Sequence, residues 1–413
     1  MVGKMKSLIL ACVGGGTGLS ALLSGIKQFV QAKQASSEII DMNRLSAIVT
    51  VSDDGGSTGR LIEEFDVLPP GDIRKLLVAL SEADDLVSSL FEYRFSSNGD
   101  LSGHTVGNLL LIALTELNQN SFPKAIQEAS KLLAVRGQII PASLQPTVLC
   151  AELRDGEIVR GESLIPERKN REPIRRIFLE PRGNDSVAEI TAHRGAVTAI
   201  RQADAIIIGP GSLYTSIMPN LAYSEIAEVI RTSTAVKIYI CNVMSQPGET
   251  DNYTVTQHVQ AIIDQSEIGI DYVLVNDGLA SPQILKNYVQ QEIRSQLARI
   301  CTYAEEGMKF VQQESNQTPS QSINFVNSMS DLTKHINQLS DEINLITDSS
   351  KVQIFFDPQV DQLDGVEIVT ADMIHDTKVV AHGIELDVVR HDPQKLAQTL
   401  AKTLCSHFKL AGS

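Results

Sequence analysis

Two glycine-rich turns carry the strongest chemical signal in this chain. The first is Gly14, Gly15, Gly16, Thr17 and Gly18, placed after the apolar run SLILACV and before LSALLSGIKQFVQ. Glycine lets the backbone turn tightly and approach a ligand, and a helix starting there points unpaired N–H groups and its positive dipole end at an anion. The second is Gly209, Pro210, Gly211 and Ser212, which follows AIII and leads into Leu213, Tyr214, Thr215 and Ser216. Its N–H groups and the hydroxyls of Ser212, Thr215 and Ser216 suit an anion as well. Two such turns in one sheet match a ligand with a long polyphosphate or sugar-nucleotide body; the alternative is a pair of purely structural turns. Position 19 is Leu, so the Gly-x-Gly-x-x-Gly dinucleotide fingerprint is incomplete, and no Gly-Lys-Ser/Thr marks a P-loop. An NAD(P)-dependent oxidoreductase therefore ranks third among the readings.

Four further clusters carry polar chemistry. Ser52-Asp53-Asp54-Gly55-Gly56-Ser57-Thr58-Gly59-Arg60 puts adjacent carboxylates at a strand end. Asp53 and Asp54 would bind Mg2+ or accept hydrogen bonds from sugar or base groups, or else cap the next helix, and Arg60 would face a diphosphate or solvent. In Pro69-Pro70-Gly71-Asp72-Ile73-Arg74 the spacing predicts Asp72 as the N-cap of a helix from Ile73, with Arg74 as a ligand-facing cation in its first turn. In Gly103-His104-Thr105-Val106-Gly107-Asn108, His104 either contacts phosphate or moves a proton, or bonds backbone, while Asn108 holds a loop or a ligand carbonyl. The stretch Cys241 to Thr250 supplies Asn242, and the next strand end supplies Asn276 and Asp277; the amides would read a base or ribose, or cap loops.

These residues need a scaffold that brings turns to one edge. SLILACV, LSAIVTVS, DAIIIGPGS, VKIYICNVM and DYVLVND read as buried strands, each ending in glycine or polar residues and alternating with helical patterns. That is a mainly parallel α/β sheet flanked by helices. Residues 137–190 hold short strand-like pieces (TVLCAEL, EIVRG, IRRIFLE) between charged turns, which predicts a smaller antiparallel excursion. Residues 1–310 thus form one α/β domain, and 312–350 a polar, low-complexity insertion rich in Gln, Asn, Ser and Asp. Residues 351–413, with KVQIFF, VEIVTADM and HDPQKLAQTLAKTL, complete the main fold.

The 413 residues carry 35 Lys and Arg against 50 Asp and Glu, a formal charge of -15, which disfavours nucleic acid and anionic lipid as partners. Five dispersed cysteines form neither a disulfide framework nor a clustered zinc motif, and a reducing cytoplasm fits them. The N-terminal apolar run feeds straight into glycines and reads as a strand rather than a signal peptide. No run reaches the ~18 apolar residues of a membrane span.

GGGTGLS, TVSDDGGSTGR with LPPGDIR, GHTVGNLLL, VRGQIIPAS, IIIGPGSLYTSIMPNL and CNVMSQPGETDNYT, in this order, resemble the YvcK-like family of gluconeogenesis factors within the CofD-like superfamily. The resemblance covers roughly residues 7 to 310 and resumes at 351 to 405. It implies a cytoplasmic, Rossmann-like protein that binds a UDP-sugar or another nucleotide-diphosphate ligand and supports cell-wall synthesis and cell shape during gluconeogenic growth. Cell-wall synthesis proteins and a second copy of the chain are the candidate protein partners. CofD enzymes transfer a 2-phospho-L-lactyl group from a guanosine-diphosphate donor to the deazaflavin Fo with Mg2+, and this is the runner-up activity. On the resemblance, Gly14 to Gly18 and Gly209 to Ser212 hold phosphates, and Asp53 and Asp54 lie nearest the donor or its metal. The longer TVSDDGGSTGRL and PGETDNYT patterns favour the YvcK-like branch. No independent nucleophile and base pair stands out in the sequence.

Overall fold

The apolar runs become strands covered on both faces. In the computed structural model, which describes residues 7–33, 37–96, 99–183, 189–289, 352–381 and 384–409, Leu10 to Val13 of strand β1 (Leu8–Gly14) are fully buried, as a parallel sheet sandwiched between helices requires. Helix α1 (Gly16–Gln31) follows at once, and its Leu19, Leu22, Leu23, Ile26 and Phe29 recur at three- and four-residue spacing on one buried face. Then come β2 (Ile40–Val49), α2 (Gly56–Phe65), α3 (Gly71–Ala79), α4 (Asp85–Glu92), α5 (Val106–Leu117), α6 (Phe122–Leu132) and β3 (Gln138–Pro141). The interposed segment is β4 (Thr147–Leu153), β5 (Ile158–Arg160), α7 (Leu164–Glu167) and β6 (Ile174–Pro181). The alternation resumes with α8 (Arg194–Gln202), β7 (Ala205–Ile208), a π-turn over Leu213–Ile217, α9 (Met218–Leu221), α10 (Ser224–Thr232), β8 (Val236–Ile240), α11 (Val255–Ser266) and β9 (Tyr272–Asn276). Strands β10 (Glu367–Ala371), β11 (Ile374–Ala381) and β12 (Ile384–His391) and helix α12 (Pro393–His407) close the chain.

The main sheet has seven strands in the order β10-β9-β8-β7-β1-β2-β3, and every neighbouring pair is parallel. Between β1 and β7 the direction of winding reverses, so the chain leaves the carboxyl ends of these two strands toward opposite faces. Such a Rossmann-like sheet opens a crevice at that point, where ligands of doubly wound folds bind. Val13 pairs with Ile48 on one side and Ile208 on the other, which brings both glycine turns to the same edge at the same height. The interposed segment is an antiparallel sheet of order β5-β4-β6. Helix α12 packs on α1 so closely that a Cβ on Gly25 would lie 1.9 Å from the Pro393 carbonyl oxygen.

Two units emerge from the contacts. The first comprises Met1–Gly278, Phe355–His375 and His391–Ser413, and the second Leu279–Ile354 and Asp376–Arg390. In the second, residues 282–289 are helical, strands β11 and β12 pair, and the Val389 N–H donates to the Tyr288 hydroxyl at 3.3 Å. The described residues of KVQIFF form no strand, and Gln353 makes an isolated bridge. Gln353 and Ile354 are buried, and the Gln353 side chain accepts the Ala280 N–H at 3.1 Å. The polar stretch 312–350 lies outside the described residues.

Candidate anion-binding site at the switch point

The two glycine turns are pressed against each other. A Cβ on Gly18 would sit 2.5 Å from the Pro210 carbonyl oxygen and 2.8 Å from the Gly211 nitrogen, and one on Gly14 would sit 3.7 Å from Gly209 Cα. Only glycine admits so close a backbone approach. Gly211 has φ +155° and faces the Gly15 carbonyl, and Gly16 has φ +62° with the Ser216 hydroxyl as its nearest neighbour. The Asn220 side chain, fully buried on α9, donates to the Gly14 carbonyl at 3.0 Å and to the Ser216 carbonyl at 2.8 Å, so it ties the turns together from below. Among the described residues the N–H groups of Gly211 and Ser212 have no hydrogen-bond acceptor. Thr17 is exposed beside them.

Asp72 does something other than cap its own helix. Helix α3 begins at Gly71 with Pro70 in the N-cap position and no side-chain cap. The Asp72 carboxylate, 7% exposed, instead accepts the Gly16 N–H at 2.6 Å and pairs with Lys75 at 2.9 Å. With Pro70 at the N-cap, Asp72 falls inside the first turn of α3, and its carboxylate meets the positive end of α1, 56 residues away in the chain.

The Asp53–Asp54 pair separates. Asp53 accepts the Gly55 N–H at 3.0 Å, and burial, followed by the nearby Asp72 charge, pushes its pKa up. Asp54 turns the other way, and its two oxygens accept the N–H groups of Glu162 (3.0 Å) and Ser163 (2.9 Å) at the start of α7. It thereby anchors the interposed segment beside the site. Glu162 joins the acidic wall: burial, then the charges of Asp53 and Asp54, push its pKa up to about 8. Glu249, buried and with its pKa pushed up by that burial, accepts from the Ser212 hydroxyl and from Thr215 Oγ1 at 3.4 Å. As a protein-only Mg2+ site this arrangement does not fit. Asp53 and Asp54 engage different backbone groups, each Asp54 oxygen already accepting one N–H, and no group of three His, Cys, Asp or Glu among the described residues is disposed to hold a metal ion.

The remaining candidates distribute around this centre. His104, buried, has Nδ1 at 2.9 Å from the Ser57 hydroxyl, and burial and then Arg60 lower its pKa, which favours a neutral ring near pH 7. Arg60 is exposed and donates to the Ser102 carbonyl. Arg74, buried, reaches the start of α5, where Nε donates to Asn108 Oδ1 at 3.1 Å; burial lowers its pKa. Asn242 donates to Gln246 at 3.1 Å. Asn276 is occupied by backbone: it donates to the Gly278 carbonyl at 2.7 Å and accepts the Met373 N–H at 3.0 Å, knitting β9 to the end of β10. Nothing local in the sequence marks Asn220, Glu162, Asp72 or Glu249 as part of the site, because no local pattern says which distant turn a carboxylate or amide will reach.

A family model described as 2-phospho-L-lactate transferase CofD matches residues 10–315. The Gluconeogenesis factor of Halalkalibacterium halodurans is 47% identical over 289 residues, 70% of this chain and 83% of that protein. That of Bacillus subtilis is 46% identical over 286 residues, 69% of this chain and 84% of that protein. This chain belongs to the gluconeogenesis-factor family of the CofD-like superfamily. A crystal structure of a UPF0052 family member from Bacillus halodurans covers 96% of the chain and 99% of its own at 36% identity, with a TM-score of 0.71. For a gluconeogenesis-factor protein this places kinship and fold together, and among its described residues no helix is long and apolar enough to cross a membrane.

Proposed function

We propose that the switch-point crevice binds a nucleotide diphosphate carrying a sugar, and that the protein uses this occupancy to regulate envelope synthesis and cell shape during gluconeogenic growth in the cytoplasm. The observation that supports the reading is the direct contact of the two glycine turns at the one point where the sheet reverses its winding. Backbone donors at Gly211 and Ser212 and the hydroxyls of Ser212 and Ser216 would meet the diphosphate. The Asp53, Glu162 and Glu249 carboxyls would accept hydrogen bonds from sugar or ribose hydroxyls. Calorimetric titration with UDP-N-acetylglucosamine, UDP, GDP and NAD+, with and without Mg2+, tests the reading. UDP-sugar binding is expected in the parent protein. A loss of tenfold or more, about 1.4 kcal/mol, is expected in Gly16→Val that remains folded by circular dichroism. Equal affinity in both proteins would overturn the assignment.

A second reading, transfer of a phosphoryl-linked group, is favoured by one observation: the Ser212 hydroxyl donates to buried Glu249, a pairing of hydroxyl and base. Turnover of a guanosine-diphosphate-linked phospholactate donor with Fo, lost in Ser212→Ala, would decide for it.

A further inference from the structure

A second cleft, of about 790 Å3, opens between β6, the segment from Tyr214 to α10, and α11, all within the first unit. Its lining contains neither glycine turn nor any of the acids of the switch point. Its size falls in the range of small-molecule sites, roughly 300–1,000 Å3. The floor is apolar, with Ile177, Phe178, Met218, Leu221, Ala227 and Ala261. The wall formed by β4 and β6 is cationic. Arg175 and Arg176 share the single carboxylate of Glu152, at 3.2 and 2.6 Å, and Arg154 has no acidic partner among the described residues. The opposite wall carries Asp264 and Glu267 from α11 and the chain just beyond it, together with Glu228, which pairs with Arg231. The cleft is thus polarised, with surplus positive charge on the strand side.

Two tyrosines stand in this cleft with their hydroxyls 2.9 Å apart, Tyr214 and Tyr253. Tyr214 follows Ser212 by two residues and Tyr253 follows Glu249 by four, and Ser212 and Glu249 are themselves hydrogen-bonded at the switch point. The same two chain segments are therefore clamped twice, once in each site. We propose that the cleft is a second small-molecule site, taking an organic phosphate with a compact apolar body, and that its occupancy reaches the switch point through the Tyr214–Tyr253 clamp. The phosphate meets Arg154 and Arg176, the body covers Phe178 and Met218, and an occupant that engages either tyrosine hydroxyl loosens the partner segment. The coupling arm rests on the nucleotide reading above, whereas the binding arm does not.

Phenyl phosphate is the probe, with benzyl alcohol as the uncharged control, followed on the full chain by saturation-transfer NMR and calorimetry. Saturable binding is expected, at least fivefold tighter than the control. It should fall tenfold or more in Arg154→Ala, an exposed position, and in Ala227→Trp, which fills the floor, and should persist in Gly16→Val. Absence of saturable binding, or binding unchanged in both cleft variants, overturns the site. Binding lost in Gly16→Val but kept in the cleft variants overturns it too, because the probe would then be reading the switch point. Saturating phenyl phosphate should shift the UDP dissociation constant at least threefold in the parent and not in Tyr253→Phe. An unmoved UDP constant in a protein that binds both ligands overturns the coupling. If UDP fails to bind at all, the nucleotide reading falls and the cleft variants still judge the site.

Discussion

The Gly14–Gly18 and Gly209–Ser212 turns end adjacent parallel strands, look alike in sequence and touch, yet their charges are arranged in opposite ways. At the first, the backbone donor of Gly16 is taken by a protein carboxylate, Asp72, so the positive end of α1 is already met from within. At the second, the nearby carboxylate, Glu249, engages the hydroxyls of Ser212 and Thr215, while the N–H groups of Gly211 and Ser212 have no acceptor among the described residues. A glycine-rich turn therefore reports backbone conformation and leaves open whether its donors face a ligand. Which donors of a turn remain for an anion is decided by residues far away in sequence: Asp72 takes Gly16, whereas Thr17 and Gly18 of the first turn, like Gly211 and Ser212 of the second, have no acceptor among the described residues.

The largest expected effect comes from separating the turns. Gly18→Ala places a methyl group 2.5 Å from the Pro210 carbonyl oxygen, and the neighbours are backbone, which cannot swing aside. The loss should be about 3 kcal/mol in urea denaturation, comparable to severe overpacking of a core. A change below about 1 kcal/mol would mean that the turns slide apart easily, and the comparison of two turns locked together would break.

Next in size is the acidic wall beside them. Glu162 holds its proton up to about pH 8 in the folded chain, whereas in the unfolded chain it ionises near the ordinary Glu value of ~4.3. Between these values the folded state binds the extra proton, so this residue's contribution to stability falls as pH rises and is fully lost above the folded value. Glu162→Gln removes the dependence. Relative to the parent, its stability should improve by about 2 kcal/mol between pH 5 and pH 8, less than full linkage because the side chain is only partly enclosed. Parallel pH slopes in the two proteins would remove Glu162 from the wall.

The sheet was legible because buried parallel strands are unbroken apolar runs: AIII, VKIYI and YVLVN need no partner to be recognised. The glycine turns were legible for the same local reason. What the turns do was not, since it depends on contacts across long separations, such as Asp72 to Gly16 or Asp54 to Ser163, 109 residues on. Asp72 illustrates the limit. Its local pattern, an acid after Pro-Pro-Gly before an apolar helix, is that of an N-cap, and the pattern does not show that Pro70 takes the N-cap place and leaves Asp72 inside the first turn, turned toward Gly16. Asn276 illustrates the reverse, where an amide at a strand end looked available to a ligand but is consumed by the Gly278 carbonyl and the Met373 N–H.

The smallest effect is the most discriminating. Asp72→Asn keeps a side-chain oxygen that can still accept the Gly16 N–H, but it removes the negative charge from the start of α1 and the partner of Lys75. Stability should drop by about 1 kcal/mol, the scale of a charge interacting with a helix end plus a weakened hydrogen bond. If Asp72 occupies a position that a phosphate competes for, neutralising it should strengthen UDP binding by ~0.7 kcal/mol, or about threefold, even as the protein becomes less stable. Calorimetry and thermal melts on the same samples separate the two terms, since a merely loosened fold would weaken binding along with stability. Tighter UDP binding in a less stable protein confirms that Asp72 competes with the ligand for the Gly16 end of the first turn. Weaker binding in the variant would instead make Asp72 a ligand contact, and the two turns would then share the work equally.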